Sequence, residues 1–159
     1  MRKLNVIKSP NRNSMLNWHD YKNPLIVVFN FIVIEIVKYI PALFAKRFLL
    51  RLLGVKVGKQ VSVGLGVQFD IFFPELIEIG DNTILGYNAT ILCHEFLVAE
   101  FRKGPVKIGK NVMIGANSTI LPGVTVGDNA VVGAMSLINK DVKTNMVVGG
   151  VPAREINKK

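Results

Sequence analysis

The sequence predicts an all-β solenoid built from six-residue repeats, preceded by an N-terminal helical extension. The first observation is a period of six, because a large apolar residue recurs at that spacing in three runs, and glycine directly follows eight of these twelve residues. The twelve are Val57, Val63, Phe69, Ile79, Leu85, Ile91, Ile108, Ile114, Ile120, Val126, Val132 and Ile138. Neither a helix nor an alternating strand repeats every six residues, so short strands joined by turns are predicted. The second observation is an apolar segment over 24–54 that Pro41 interrupts, which is typical of two helices.

Three hexads are expected to make one coil of the solenoid. If each hexad forms one side of a three-sided prism, the repeated apolar residue points inward and stacks on its counterpart one coil away, at about 4.8 Å. The twelve repeated residues therefore predict four coils around one dry core.

The period of six breaks at three places, each after the third hexad of a coil. The spacing exceeds six by four residues over 69–79, by eleven over 91–108 and by four over 138–148. All three excursions are expected to leave from the same corner of the prism, which would bring residues that are distant in sequence close together. This corner is the candidate functional site.

The predicted units are the extension at 1–54 and the solenoid at 55–159, with a protruding loop over 92–107. Residues 1–60 hold eleven Lys and Arg against two Asp and Glu, whereas 61–159 hold nine of each, so the excess charge of +9 lies on the first segment. The composition includes one cysteine, Cys93, which excludes an internal disulfide and favours a reducing, cytoplasmic compartment. No signal peptide is expected. Nucleic-acid binding is not favoured, because no base-reading or base-stacking motif accompanies the basic charge.

The first helix of the extension is predicted to be amphipathic rather than membrane-spanning. Its large apolar residues favour insertion by about 6 kcal/mol, but Glu35 and Lys38 each cost about 2.5 to 3.5 kcal/mol. Asn30, Glu35 and Lys38 fall on one arc of the helix and leave a wide apolar face. Two placements stay open: the helix covers the open end of the solenoid, or it lies on an anionic membrane. Both can hold together.

Three segments of the repeat region carry the motifs of a known family. They are IGDNTILGYNATILCHEF at 79–96, VKIGKNVMIGANSTILPGVTVGDNAVVGAMSLINKDV at 106–142 and VVGGVPAREI at 147–156. They resemble the hexapeptide-repeat acyltransferases, in particular the galactoside, maltose and xenobiotic O-acetyltransferase branch. The resemblance covers the chain from residue 57 onward and implies a left-handed parallel β-helix, a handedness that general crossover rules would not predict.

The resemblance implies an O-acetyltransferase that moves an acetyl group from acetyl-CoA to a hydroxyl of a sugar or glycan. It also implies a homotrimer with active sites between neighbouring prisms. The apolar, basic extension favours polysaccharide modification at the inner face of the cell membrane. The alternatives are an acetyltransferase of xenobiotics or other small hydroxyl compounds, and a non-catalytic, membrane-associated scaffold. No metal is expected, because a three-histidine zinc site is impossible with two histidines.

His94 is the predicted catalytic residue, since it occupies the family's histidine position in the protruding loop. A neutral imidazole accepts a proton near physiological pH, and an alcohol needs such a base before it can attack a thioester. Cys93 and Glu95 are poorer candidates, because neighbouring side chains in an extended chain point to opposite faces. Cys93 is interpreted as packing. His19 is interpreted as exposed and without a catalytic role.

Candidate acceptor contacts come from residues near the same corner. Gln68 and Asp70 flank the third inward residue of the first coil, and Asp70 could orient the imidazole or bind a sugar hydroxyl. Asn88 lies where the family often has a turn asparagine.

The resemblance places coenzyme A along Ala116 and Ala134, with Ala116 also supplying the oxyanion N–H donor. Lys140 and Arg154 are expected near its phosphates, as suits a polyanionic ligand. Met113 stands where related sugar acetyltransferases commonly have tryptophan, so an aromatic wall for the acceptor is not expected there.

Overall fold

The computed structural model describes residues 2–9 and 13–156 of the chain. The outer limits of the two predicted units, residues 1 and 159, and the basic residue Arg12 lie outside the described residues. From residue 55 to residue 156 the chain forms a left-handed parallel β-helix, as the period of six and the family resemblance predict. Helices precede it, and strand β1 (Asn5–Lys8) precedes the helices.

The three faces of the prism consist of parallel strands of two or three residues. In chain order the strands are β2 (Lys56–Val57), β3 (Ser62–Val63), β4 (Gln68–Phe69), β5 (Ile77–Ile79), β6 (Ile84–Leu85), β7 (Thr90–Ile91), β8 (His94–Phe96), β9 (Glu100–Lys103), β10 (Val106–Ile108), β11 (Met113–Ile114), β12 (Thr119–Ile120), β13 (Thr125–Val126), β14 (Val131–Val132), β15 (Leu137–Ile138), β16 (Val147–Gly149) and β17 (Arg154–Glu155). The first face stacks β2, β5, β10 and β13; the second stacks β3, β6, β11, β14 and β16; the third stacks β4, β7, β12 and β15. Strands β8 and β9 form a separate antiparallel hairpin, and β17 pairs antiparallel with β16.

The twelve predicted inward residues are all buried, and along each face they pair in register from one coil to the next. On the third face, for example, Phe69 pairs with Ile91, Ile91 with Ile120 and Ile120 with Ile138. The period of six therefore fixes both the strand register and the core.

The corners between faces are built from residues that tolerate left-handed backbone. Asn82, Asn111, Asn129 and Asn145 all have positive φ and form a ladder of side-chain hydrogen bonds at one corner, at 2.9, 3.1 and 3.0 Å. Asparagine suits this position because it adopts the left-handed region at low cost.

The three breaks in the period differ in what they build. The first contains a short 3₁₀ turn, Pro74–Leu76, and the second contains the antiparallel hairpin of β8 and β9. The third was predicted as an excursion over 138–148, and this is wrong. Val142 bridges to Val126 on the first face and Val148 pairs with Val132 on the second, so a shortened corner begins a partial fifth coil.

The extension covers the open end of the first coil. Helix α1 (Trp18–Tyr21) is one turn, and α2 (Pro24–Tyr39) and α3 (Leu43–Leu52) follow. Their polar side chains donate to carbonyls of the first coil and of the segment that leaves it: Lys46 Nζ to Gly64 (2.7 Å), Arg47 Nη1 to Val61 (3.1 Å), Arg51 Nη2 to Val57 (2.8 Å) and Asn30 Nδ2 to Ile71 (2.9 Å). No coil precedes the first, so these donors satisfy carbonyls that would otherwise lack partners. Burial lowers the pKa of Lys46.

The extension is not helical throughout. Strand β1 pairs antiparallel with β9, so the order of the small sheet is β1, β9, β8. The Lys3 backbone lies directly against Gly104, so close that a Cβ added at Gly104 would be 2.2 Å from the Lys3 carbonyl oxygen. The first residues of the chain thereby support the hairpin that carries the candidate histidine.

Candidate active site

The third face of the prism has two edges, which we name by their residues. The His94 corner comprises the segments that leave β4, β7, β12 and β15, and the Ala116 corner comprises the turns that enter the same strands. Asp70 follows β4 directly, and His94 is the third residue after β7. Because β4 and β7 stack in register, the two side chains meet at the His94 corner.

The carboxylate of Asp70 and the imidazole of His94 form a close pair. Asp70 Oδ2 lies 2.6 Å from His94 Nδ1. The Asp70 side chain has 0% exposed surface and that of His94 has 14%. Of the two roles that the sequence left open for Asp70, this geometry favours orientation of the imidazole. An acceptor molecule could not reach the carboxylate without displacing its partners.

Asp70 is held by backbone donors on both oxygens. Oδ1 accepts from the N–H groups of Phe72 and Phe73, each at 2.9 Å, and Oδ2 accepts from Cys93 N–H at 2.6 Å and His94 N–H at 3.1 Å. Burial alone would raise the pKa of Asp70, but the hydrogen bond and charge of His94 and the backbone N–H donors outweigh burial, so the pKa is lowered.

An ionised Asp70 has no proton to donate, so His94 Nδ1 must carry the hydrogen that they share. The neutral imidazole then presents its free lone pair on Nε2. This is the tautomer in which Nε2 can remove a proton from a substrate hydroxyl.

Aromatic rings surround the imidazole. The ring centroids of Phe72 and Phe96 lie 4.7 and 4.9 Å from that of His94. Trp18 packs on Phe72, and Tyr21 stacks on Phe101 at 4.1 Å. The extension therefore contributes to the packing around the candidate base, and the low-polarity surroundings strengthen its bond to Asp70.

The other residues that sequence analysis compared with His94 do not offer a catalytic base or nucleophile in this geometry. Cys93 is fully buried, and burial followed by the Asp70 charge raises the pKa of its thiol, which opposes formation of a thiolate nucleophile. Glu95 accepts a hydrogen bond from Arg2 Nη1 at 2.6 Å. His19 is exposed on α1.

The predicted coenzyme contacts lie at the Ala116 corner and at the end of the solenoid. Ala116 and Ala134 occupy equivalent turns one coil apart, where Met135 N–H donates to the Ala116 carbonyl at 2.9 Å. Within residues 2–9 and 13–156, neither alanine N–H donates a hydrogen bond. Lys140 and Arg154 line one groove of about 380 Å³ near the C-terminal end of the β-helix.

The other predicted acceptor residues lie apart from the imidazole contacts. Gln68 and Asn88 line a groove of about 570 Å³ together with Tyr39 and Tyr87. Asn88 has φ of 54° at its turn, as a structural asparagine would. The chain thus gathers Asp70 at His94, Gln68 with Asn88, and Lys140 with Arg154. Lys140 follows β15 at the His94 corner, whereas Asn88 precedes β7 at the Ala116 corner, at the opposite edge of the third face from His94. Met113 is partly exposed on the second face.

In the part of the chain that the structure describes, no group of three or more His, Cys, Asp and Glu side chains is arranged to hold a metal ion. Among these same residues, none of the helices combines the length and the apolar character that crossing a membrane requires.

The fold defines the class of protein, a left-handed β-helix of hexapeptide repeats. A family model described as hexapeptide repeat of succinyl-transferase matches residues 105–138. The sequence is 52% identical to "Putative acetyltransferase YvoF" of Bacillus subtilis (strain 168), over 98% of this chain and 91% of that protein. A solved maltose O-acetyltransferase from Clostridium difficile 630 matches with a TM-score of 0.67 and 28% identity, over 86% of this chain and 89% of that one. A galactoside acetyltransferase solved in complex with coenzyme A matches with a TM-score of 0.62 and 26% identity, over 85% and 81%. The chain belongs to the hexapeptide-repeat acetyltransferase family.

Two parts of the site escaped sequence reasoning. The aromatic residues around His94 had a local signal, because Phe72 and Phe73 follow Asp70 directly and Phe96 lies two positions after His94. The contribution of Arg2 and β1 had no such local signal in the sequence. A strand of four residues does not specify a partner strand more than ninety positions away.

Proposed function

We propose that this acetyltransferase moves the acetyl group of acetyl-CoA to a hydroxyl of a sugar or glycan, with His94 as general base. The observation that carries the proposal is the 2.6 Å pair of Asp70 Oδ2 and His94 Nδ1, which leaves Nε2 free to accept a proton. Acyl transfer to an alcohol requires such a base.

The proposed reaction is a direct transfer. His94 Nε2 takes the hydroxyl proton while the acceptor oxygen bonds to the thioester carbonyl carbon. The resulting oxyanion accepts a hydrogen bond from Ala116 N–H, and the carbon–sulfur bond then breaks. The leaving thiolate of coenzyme A takes the proton from Nε2, which regenerates the neutral base. Asp70 stabilises the transient imidazolium and holds its orientation.

For acetyl-CoA we propose a path along Ala116 and Ala134 toward Lys140 and Arg154. The support is chemical: both alanine N–H groups are free of partners within the described residues, and the two cations share a groove. Cations and backbone donors suit phosphates and amides respectively. The related galactoside acetyltransferase was solved in complex with coenzyme A, which supports acetyl-CoA as the donor.

We infer a homotrimer in which the active site lies between protomers. Within one chain, His94 and Ala116 lie at opposite edges of the third face. A base and an oxyanion donor must both lie within about 3 Å of the reacting atoms. Apposition of the His94 corner of one protomer and the Ala116 corner of another would meet this requirement.

A sugar acceptor is favoured by the groove of Gln68 and Asn88. Amide side chains supply hydrogen bonds for hydroxyls, and the exposed rings of Tyr39 and Tyr87 offer apolar surface for a sugar ring. Related proteins named for maltose and galactoside acetylation agree with this acceptor class. We place the reaction in the cytoplasm, with peripheral contact of residues 1–54 at the inner membrane face and a polysaccharide or its precursor as acceptor.

The test is release of coenzyme A thiol from acetyl-CoA in the presence of a panel of maltose, galactosides and other sugars. We expect His94→Ala to lower the rate by about 10² to 10⁴-fold, because general-base catalysis contributes that much. His19→Ala is the matched control and should retain wild-type activity. If His94→Ala released thiol at the wild-type rate, the base would lie elsewhere. If the folded protein bound no acetyl-CoA by calorimetry, the scaffold alternative would replace the proposal.

A further inference from the structure

Helix α2 is apolar on two opposite faces. The inner face packs against the β-helix through Val27, Ile34 and Val37, which are buried. The side that points away carries large exposed side chains, which we call the outer face of α2. They are Leu25, Phe29, Ile32, Ile36 and Tyr39, with exposed fractions between 46% at Ile36 and 80% at Leu25.

The spacing of the outer face is that of a helix stripe. Its residues recur at intervals of four, three, four and three, so they align along one side of α2 over the full length of the helix. Helix α3 packs on α2 and exposes Phe44 and Phe48 as well. A soluble chain rarely exposes so many large apolar side chains together unless they meet a partner.

Charge decides which partner fits. Residues 1–60 carry the whole excess of +9, and Arg51, Lys56 and Lys59 are exposed at and just after the end of α3. A second copy of this chain would bring the same positive charge to the contact. An anionic lipid surface brings the opposite charge, and it accepts an apolar stripe at the level of its headgroups. Helix α2 has sixteen residues and is suited to lie in that interface.

We propose that the outer face of α2 docks peripherally on an anionic lipid bilayer. The role of this docking in catalysis rests on the proposed function, acetyl transfer to a sugar or glycan. Tyr39 belongs both to the outer face and to the groove of Gln68 and Asn88. Docking would therefore hold the acceptor groove beside the membrane, where a glycan on a lipid carrier is presented. The aromatic ring of Tyr39 suits the boundary between apolar and aqueous phases.

The test is flotation of the full-length protein with vesicles of phosphatidylcholine alone or of equal parts phosphatidylcholine and phosphatidylglycerol. Wild type should float with the anionic vesicles, less with neutral ones, and less at high salt. Ile32→Glu should weaken vesicle binding by about tenfold or more, because it places a negative charge on apolar surface that docking would bury in the lipid. Ile84→Glu is the matched control, since both isoleucines are 51% exposed but Ile84 lies on β6, and it should float like wild type.

Two further readouts separate the outcomes. Thermal unfolding of Ile32→Glu should match that of wild type, which shows that the variant is folded without reliance on the proposed chemistry, and thiol release with a free sugar should also be unchanged. Should that variant be unstable, Phe29→Ser provides the same comparison. Wild type that stays with neither vesicle, or Ile32→Glu that floats as well as wild type, would overturn the proposal. A drop in oligomeric mass of Ile32→Glu by light scattering would also overturn it, because the face would then join copies of this chain.

Discussion

The two edges of the third face differ in what they offer to the proposed chemistry. The His94 corner carries side chains on long excursions, a buried carboxylate and a ring of aromatic residues. The Ala116 corner consists of tight turns whose contribution is backbone N–H groups, repeated coil after coil. A proton acceptor needs a tuned environment, whereas a coenzyme contact needs only a regular row of donors. In the proposed trimer, one face of a repeat protein would supply both, because the His94 corner of one protomer would meet the Ala116 corner of another.

The largest expected effect comes from the carboxylate at the His94 corner. Asp70→Asn should lower kcat by about 10³-fold or more, because the amide no longer fixes the tautomer that leaves Nε2 free. The KM for acetyl-CoA should change little, since the Asp70 side chain is fully buried and the proposed coenzyme path does not include it. Steady-state thiol release checks both values. A fall in kcat of less than about threefold would show that Asp70 does not orient the base.

At the C-terminal end of the proposed coenzyme path, Lys140→Ala and Arg154→Ala should each weaken acetyl-CoA binding by about tenfold or more, because a charged hydrogen bond contributes roughly 1.5 to 3 kcal/mol. Calorimetry measures this directly. Lys110→Ala, an exposed lysine at another corner, is the control. Unchanged affinity in the Lys140→Ala/Arg154→Ala double variant would remove these cations from the site.

The buried carboxylate should also make stability depend on pH. The folded-state pKa of Asp70 is lowered, so its ionised form stabilises the fold at pH values above the unfolded value of about 3.9. This contribution is lost as the pH falls through the folded-state pKa. Chemical unfolding of wild type should therefore show a fall in unfolding free energy below about pH 4 that is smaller in Asp70→Asn. Equal acid dependence of the two proteins would contradict this assignment.

The smallest expected effect concerns the support of the hairpin by the first residues. Arg2→Ala removes the ion pair with Glu95, whose side chains are only 19% and 21% exposed, and should cost about 1 kcal/mol of stability. We expect a fall in kcat of a few-fold, because β8 also carries His94. Thermal unfolding and thiol release report the two effects. Lys3→Ala tests the neighbouring position without loss of this ion pair, and an equal loss in both variants would deny the ion pair a specific role.

The solenoid could be predicted from sequence because each coil repeats the same packing contacts. Each inward residue has the same neighbour above and below it, so one period specifies Ile91, Ile120 and Ile138 alike. The corner of His94 and Asp70 followed from the same register. Where the period of six ends, the predicted excursion over 138–148 was wrong, because Val142 continues the stack on the first face after a shortened corner.

The extension could be predicted only in outline. Its apolar pattern indicated helices, but the pattern does not state which carbonyls Lys46 and Arg51 would meet, because those partners arise from the open end of the first coil. Strand β1 was not expected, since its pairing depends on the edge that β9 presents. Both features that were not predicted are contacts between the extension and the β-helix or its hairpin, and the period of six does not include the extension.

The most direct measurement mixes two inactive variants. His94→Ala lacks the proposed base, and Ala134→Glu, at an exposed turn, places a carboxylate in the proposed coenzyme path of the Ala116 corner. If the site lies between protomers, trimers reassembled from equal amounts of the two should regain about one quarter of wild-type activity, because one interface in four pairs two intact edges. Differently tagged copies confirm co-assembly. Co-assembled mixtures that stay inactive would contradict the account, since each chain would then need both edges for itself.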